Sequence, residues 1–142
     1  MRLVEVIRGQ ATDDETVATA VAYAKRLGKS PIVVRDGPGF LVNRLLFPYM
    51  NEALALVEEG AEIKAIERAA KSFGMPMGPI ELYDMVGMDT ALYAGRTMWE
   101  AFPQRTHASP ILLSMVKANR LGRKSGRGYY DYSTTPPTPT PD

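Results

Sequence analysis

The sequence predicts a mainly α-helical domain that is preceded by a short strand–helix–strand segment. Three observations support this fold class. Runs of β-branched and apolar residues occur at 3–7 and 31–35, with a helical repeat between them. A turn cluster of Asp, Gly and Pro follows at 36–39. After this cluster the apolar residues recur at helical spacing.

Composition limits the classes of function. The 142 residues suffice for one ordinary domain, or for a small domain plus a fragment of another. Because there is no cysteine and a single histidine, we expect no disulfide scaffold, no thiol nucleophile and no metal site. The net charge of +1 does not favour a nucleic-acid partner. No apolar run reaches the roughly 18–20 residues of a membrane span, and the N-terminus does not resemble a signal peptide.

The first 35 residues predict two strands joined by one helix. Thr12 and Glu15 have the spacing of a capping box, which predicts the start of the helix. Gly28 is a typical residue just beyond a helix end. Two strands and one helix cannot bury both faces of a sheet. We therefore expect this segment to be the end of an α/β layer whose remainder lies outside the chain.

The rest of the chain predicts helices and a short tail. Residues 41–59 are apolar almost all round, which predicts a central helix buried on most sides, with Pro48 kinking or ending its first part. The spacing of apolar residues, with glycine and proline at the ends, predicts four further helices, at 63–73, 79–86, 90–102 and 110–121. The tail from Ser133 is rich in Thr and Pro, and we expect it to be disordered.

Two polar residues in apolar surroundings are candidates for a site. Glu5 shares a strand face with Leu3 and Ile7, so its carboxylate needs a partner or a wet cleft. The alternative is an exposed glutamate at a sheet edge. Asn43 lies at the entry to the apolar helix, where it is either a helix cap or an amide that contacts a ligand.

A basic turn at 122–128 contains three glycines and three basic residues, one of them Lys124. Such a turn is either a solvated surface feature or a place where backbone and cations approach a phosphate. His107 has no acidic neighbour in sequence and is interpreted as a surface loop residue. Glu81 and Asp84 are interpreted as capping or solvated carboxylates. We find no G-x-G-x-x-G motif after a strand and no Walker A loop.

Together these segments resemble the 3-hydroxyacyl-CoA dehydrogenases of β-oxidation and butanoate metabolism. No one stretch is decisive, but five of them occur in the family's order across residues 1–132. The matching stretches are Leu-Val-Glu-Val-Ile at 3–7, Gly-Lys-Ser-Pro-Ile-Val-Val at 28–34, Asp-Gly-Pro-Gly-Phe-Leu-Val-Asn-Arg at 36–44, Met-Pro-Met-Gly-Pro-Ile-Glu-Leu-Tyr-Asp at 75–84 with Val-Gly-Met-Asp at 86–89, and Gly-Arg-Lys-Ser-Gly-Arg-Gly-Tyr-Tyr at 122–130.

The resemblance implies a division into three parts. Residues 1–35 would be the terminal strand–helix–strand of a Rossmann NAD-binding domain, residues 36–132 the helical C-terminal domain, and residues 133–142 a disordered tail. Glu5 matches the glutamate that orients the family's catalytic histidine. Asn43 matches an asparagine that contacts substrate, and Lys124 resembles a lysine that approaches the cofactor. The catalytic histidine, a substrate-binding serine and the glycine-rich NAD loop belong upstream of this chain's first residue.

The resemblance therefore implies the C-terminal substrate-binding and dimerisation portion of an enzyme that oxidises 3-hydroxyacyl-CoA with NAD. We expect the isolated chain to be inactive. Its expected partners are an acyl-CoA substrate, the N-terminal Rossmann portion and a second copy of itself, and we expect a cytoplasmic location. The alternative is a non-catalytic dimerisation or acyl-CoA-binding module.

Overall fold

The computed structural model describes residues 2–106 and 109–140, so His107 lies outside the described residues. Helices dominate, which confirms the predicted fold class. The elements in chain order are β1 (Leu3–Arg8), α1 (Asp14–Arg26), β2 (Ser30–Arg35), α2 (Val42–Glu58), α3 (Ile63–Phe73), α4 (Pro79–Val86), α5 (Met88–Ala101), α6 (Pro110–Lys117), a 3₁₀ turn (Arg123–Ser125), β3 (Tyr130–Asp131) and β4 (Thr138–Pro139). The chain forms two compact units, the first ending at Leu45 and the second beginning at Leu46.

The first unit is the predicted strand–helix–strand segment with the first turn of α2. Strands β1 and β2 pair in parallel, with Glu5 opposite Ile32. Helix α1 buries Val17 and Ala24. The side chain of Asp13, rather than Thr12, caps this helix by accepting from the backbone N–H of Thr16 at 2.7 Å. The predicted capping box is therefore wrong by one residue, because Thr12 Oγ1 instead accepts from Gly9 N–H.

The second unit has a core built by the five helices α2 to α6 and Tyr129. The side chains of Leu54, Ile80, Tyr83 and Met88 are fully buried there. Helix α3 ends at Gly74, whose φ of 117° is accessible mainly to glycine. Pro79 opens α4, as its fixed φ and missing N–H suit a first helical position. None of the helices in the described part of the chain is long and apolar enough to cross a membrane.

Helix α2 is less buried than predicted, and it narrows the two alternatives predicted at Pro48. It buries one face only, through Phe47, Met50, Ala53 and Leu54, while Leu56 is 45% exposed. Its apolar composition overstated the burial, because apolar residues commonly cover part of a protein surface. Pro48 also does not end the helix, which continues to Glu58. The proline lacks only one N–H of the helical hydrogen-bond pattern, and the packed face holds the flanking turns together.

The end of the chain also differs from the prediction. Helix α6 ends at Lys117 instead of continuing to residue 121, since Asn119 adopts a left-handed φ of 55°. Disorder from Ser133 stays a prediction, and the structure has one short paired segment within this tail. Thr138 and Pro139 form β4, which pairs antiparallel with β3. Thr140 N–H donates to the carbonyl of Tyr129 at 2.9 Å, which secures the segment despite its lack of apolar residues.

Candidate functional site

Glu5 lies in the middle of β1 and contacts the start of α2. Its Oε1 accepts from the backbone N–H groups of Leu41 at 2.8 Å and Val42 at 3.2 Å. The first N–H groups of a helix have no partner within the helix and carry its positive dipole end. Helix α2 has no acidic residue in its own first turn, so Glu5 supplies the missing acceptor and charge. The N–H groups of Leu41 and Val42 are thus the partners that a carboxylate on an apolar strand face needs.

Asn43 is the second residue of α2 and its side chain is exposed. It is therefore not a helix cap, because the N–H groups at this helix start bond to Glu5. The sequence also allowed a buried amide at this position, but Asn43 is exposed. Glu5 and Asn43 are nonetheless brought to the same end of α2. The carboxylate thus bonds to the helix start one residue before the exposed Asn43.

Lys124 lies in the basic turn and forms an ion pair with Asp89, at the start of α5. The lysine side chain passes over Gly87, where an added Cβ would lie 2.9 Å from both Lys124 Cε and Nζ. Gly87 also has a φ of 96°, which strains any other residue. The hydrogen bond from Lys124 holds the pKa of Asp89 below its ordinary value. The lysine is thus held at a defined place while its side chain stays 44% exposed.

Asp84 is a buried carboxylate that sequence reasoning interpreted wrongly as capping or solvated. It is 1% exposed and holds the chain that follows the basic turn. Its Oδ1 accepts from Tyr129 N–H at 2.9 Å, while Oδ2 accepts from Tyr130 N–H at 2.9 Å and Tyr132 O–H at 3.0 Å. Burial raises the pKa of Asp84, and these hydrogen bonds act in the opposite direction. Nothing in the sequence pattern signals a contact across 45 residues.

An apolar cavity of about 450 Å³ opens between α2, α5 and α6 in the second unit. Phe47, Leu92, Trp99 and Leu112 are among the side chains that line it. One polar pair also faces it, as Tyr83 O–H donates to Asn51 Oδ1 at 3.1 Å. Burial raises the pKa of Tyr83, so this hydroxyl stays protonated further into the alkaline range than an ordinary tyrosine. The cavity suits an apolar group that ends in a small polar function.

Sequence models of two family domains match this chain. The C-terminal domain of 3-hydroxyacyl-CoA dehydrogenase matches residues 39–132, and the NAD-binding domain of the same enzymes matches residues 1–37. The chain belongs to the 3-hydroxyacyl-CoA dehydrogenase family. The predicted resemblance is thereby confirmed.

Among its relatives are α subunits of fatty acid oxidation complexes from Pseudomonas. The proteins from Pseudomonas syringae pv. tomato and Pseudomonas aeruginosa are each 49% identical over 136 residues. The alignment covers 94% of this chain but 19% of each relative. The chain therefore spans about a fifth of the length of these relatives.

Solved structures of dehydrogenases share the fold. The (S)-3-hydroxybutyryl-CoA dehydrogenase of Ralstonia eutropha is 43% identical, with a TM-score of 0.87 over 94% of this chain and 48% of that one. The 3-hydroxybutyryl-CoA dehydrogenase of Escherichia coli is 38% identical, with the same TM-score over 94% of this chain and 29% of that one. The likeness thus extends over nearly the whole chain and at most half of these two enzymes.

Proposed function

We propose that this chain is the C-terminal substrate-binding and dimerisation portion of an NAD-dependent 3-hydroxyacyl-CoA dehydrogenase of fatty-acid metabolism. The observation that carries the proposal is the pairing of Glu5 with the start of α2, one residue before the exposed Asn43. Both residues fall within the spans that match the family. The reaction would oxidise the C3 hydroxyl of a 3-hydroxyacyl-CoA to a ketone.

Glu5 would orient a histidine supplied by the N-terminal portion and stabilise its cationic form. Oε1 is occupied by two backbone N–H groups, and Oε2 receives no hydrogen bond from the residues that the structure describes. Oε2 is therefore the atom that would accept from an imidazole N–H. A histidine held in this way takes a hydroxyl proton more readily, because the carboxylate favours the imidazolium.

Asn43 would bind the reacting oxygen of the substrate. Its amide offers two donors and one acceptor, which suit a hydroxyl in the substrate and a carbonyl in the product. The exposure of its side chain leaves these groups accessible.

Lys124 would contact NAD, which supplies a hydride acceptor when bound. The residues of this chain fit such a peripheral contact, since Lys124 is half-exposed and held in place by Asp89. An ammonium group with remaining donors suits the phosphate or ribose oxygens of a dinucleotide. The phosphate-binding glycine loop would come from the N-terminal portion.

Reconstitution tests this function. The chain is mixed with the separately produced NAD-binding portion, and NADH absorbance is followed with acetoacetyl-CoA as substrate. We expect no turnover by either part alone and turnover by the mixture. Glu5→Gln should lower kcat roughly 100-fold or more, with a smaller change in KM, since base catalysis typically contributes that much. Glu15→Gln, at an exposed position of α1, is the control. Equal kcat in both variants would contradict the role of Glu5 and favour a non-catalytic module.

Self-association is also proposed, as a homodimer formed through the helical unit. Tyr93, Trp99 and Leu113 expose apolar surface on α5 and α6, next to the apolar cavity. The strands of the first unit also expose Ile7 and Val33, which suits packing against the remainder of a Rossmann domain. Sedimentation velocity over a wide concentration range tests this. Leu113→Glu should shift the chain toward monomer, whereas Ser72→Glu on α3 should not. A monodisperse wild-type monomer at all concentrations would refute the dimer.

We further propose a cytoplasmic location for the whole enzyme. Support comes from its bacterial relatives, which are named as subunits of fatty acid oxidation complexes. Fractionation of cells that express the full-length protein would test this, and recovery with the membrane pellet after a high-salt wash would contradict it.

A further inference from the structure

The tight turn before α2 sets the direction in which this helix starts. It covers residues 37–40, and the N–H of Phe40 donates to the carbonyl of Gly37 at 3.1 Å. Gly39 has a φ of 72°, which identifies a type II β-turn, with proline at its second position and glycine at its third. Types I and II differ by rotation of the central peptide group. The direction of the Pro38 carbonyl therefore decides which turn forms.

Phe40, the last residue of this turn, has a left-handed backbone. Its φ is 43°, which bulky residues rarely adopt because Cβ approaches the following carbonyl oxygen. Such a conformation persists where the surrounding contacts hold it. The next two N–H groups, of Leu41 and Val42, both donate to Oε1 of Glu5. A relaxed backbone at Phe40 would turn these two groups away from the carboxylate.

Arg44 contacts the same turn from the first turn of α2. Its Nε donates to the carbonyl of Pro38 at 2.8 Å. This carbonyl belongs to the central peptide group, so the bond favours the type II orientation over type I. Hydrogen bonds from a charged donor are also stronger than those between neutral groups. Arg44 thus fastens the turn to the helix that follows it.

Gly37 leaves the space that the Arg44 side chain occupies. A Cβ at this position would lie 2.7 Å from Nη2 of Arg44, which is closer than such contacts occur. The φ of Gly37 is not positive, so the arginine, rather than backbone strain, excludes a side chain here. The two glycines of the turn therefore have different roles, since Gly39 supplies the positive φ.

We propose that Arg44 is a positioning residue for the carboxylate of Glu5. By fixing the Pro38 carbonyl it holds the turn, and the turn aims the N–H groups of Leu41 and Val42 at Oε1. With Oε1 fixed, Oε2 keeps the direction in which it would accept from the histidine of the N-terminal portion. All of these residues of the chain lie in the first unit. The inference rests on the proposed function, which supplies the histidine.

Amide hydrogen exchange of the full 142-residue chain tests the effect of Arg44 on the helix start. In Arg44→Ala, exchange at Leu41 and Val42 should accelerate, because the turn no longer holds their N–H groups on the carboxylate. Glu5→Ala removes the acceptor and gives the exchange expected for complete loss. Arg26→Ala, in the last turn of α1, removes the same charge and should exchange as the wild type. Unchanged exchange in Arg44→Ala would overturn the proposal.

The kinetics of the reconstituted enzyme test whether the effect reaches the reaction. Arg44→Ala should lower kcat about tenfold and change KM by less than about twofold, because a misplaced catalytic group loses rate rather than substrate affinity. Arg44→Lys should retain more activity than Arg44→Ala, since its ammonium group can donate to the same carbonyl. Arg26→Ala should keep the kcat of the wild type. A raised KM at unchanged kcat would overturn the proposal, because it would indicate direct binding of substrate by Arg44.

Gly37→Ala perturbs the same contact by another route. Its Cβ should displace the Arg44 guanidinium, which is the far end of a flexible side chain, and lower kcat. The double variant Gly37→Ala/Arg44→Ala should be no slower than Arg44→Ala alone, because Arg44 is the residue that this Cβ meets. Losses that multiply in the double variant would show that the two residues act independently, and would contradict the proposal.

Failure of this inference is distinct from failure of the proposed function. Turnover that is insensitive to Arg44→Ala would refute the positioning role alone. Accelerated exchange at Leu41 and Val42, with no turnover by any mixture of the two portions, would refute the dehydrogenase role and with it the catalytic purpose of the turn.

Discussion

Asp84 is the residue whose replacement should most clearly loosen the helical unit. Its carboxylate accepts from two backbone N–H groups and one hydroxyl, and it is fully buried. In Asp84→Ala, the N–H groups of Tyr129 and Tyr130 lose their acceptor. A buried donor left without a partner costs about 1–3 kcal/mol, so two such donors cost about 4 kcal/mol.

Part of this cost is offset. Burial raises the pKa of Asp84, which shows that the ionised carboxyl is itself expensive to bury. Removing it returns about 1 kcal/mol, and the net loss in the free energy of unfolding is about 3 kcal/mol. Asp84→Asn keeps one carbonyl oxygen as acceptor and should lose about half as much.

Urea unfolding at neutral pH, followed by circular dichroism, measures the loss. Glu59→Ala, at an exposed position after α2, is the control and should change stability by less than about 0.5 kcal/mol. Amide hydrogen exchange at Tyr129 and Tyr130 should accelerate in Asp84→Ala more than exchange in the core of α4. A loss below about 1 kcal/mol, with unchanged exchange at both amides, would refute the reasoning.

Two further predictions follow from the same unit. Gly87→Ala should lower Tm more than Gly126→Ala, because Gly87 combines a φ of 96° with a ψ of 133°, whereas Gly126 lies in the left-handed region that other residues sometimes adopt; equal shifts in Tm would contradict this. Tyrosine absorbance should rise at higher pH in the native chain than in urea, because burial raises the pKa of five side chains, that of Tyr132 to about 12. Since a raised folded-state pKa favours the protonated form, the stability from these groups is present below pH 10.0 and is lost as pH rises toward about 12; coincident titration curves would contradict this. The five are Tyr49, Tyr83, Tyr129, Tyr130 and Tyr132.

The sequence predicted the helices and strands well where the residues that set their ends lie within a turn of those ends. The end of α3 follows from Gly74 and the start of α4 from Pro79, because the backbone preferences of these residues act within one turn. The need of Glu5 for a partner also followed from its place on an apolar strand face. The identity of that partner did not follow, because the bonds to Leu41 and Val42 span 36 and 37 residues.

Residues whose contacts are distant were misjudged or missed. Asp84 resembles any polar residue of a short helix until the chain returns 45 residues later to donate to it. Glu67 on α3 was missed for the same reason, since its Oε1 accepts from the backbone N–H groups of Ile80 and Glu81 at the start of α4. In the tail, the hydrogen bond from Thr140 N–H to the carbonyl of Tyr129 was likewise not signalled by the composition.

The bonds of Glu5 bear on how such a protein can be divided. The two family domains meet at residues 37–39, so Glu5 belongs to one domain and Leu41 and Val42 to the other. A helical domain excised at that junction would begin α2 without an acceptor for its first N–H groups. A truncation or a chimera between relatives should therefore keep β1 through α2 from a single parent, or introduce a new N-cap residue before Val42.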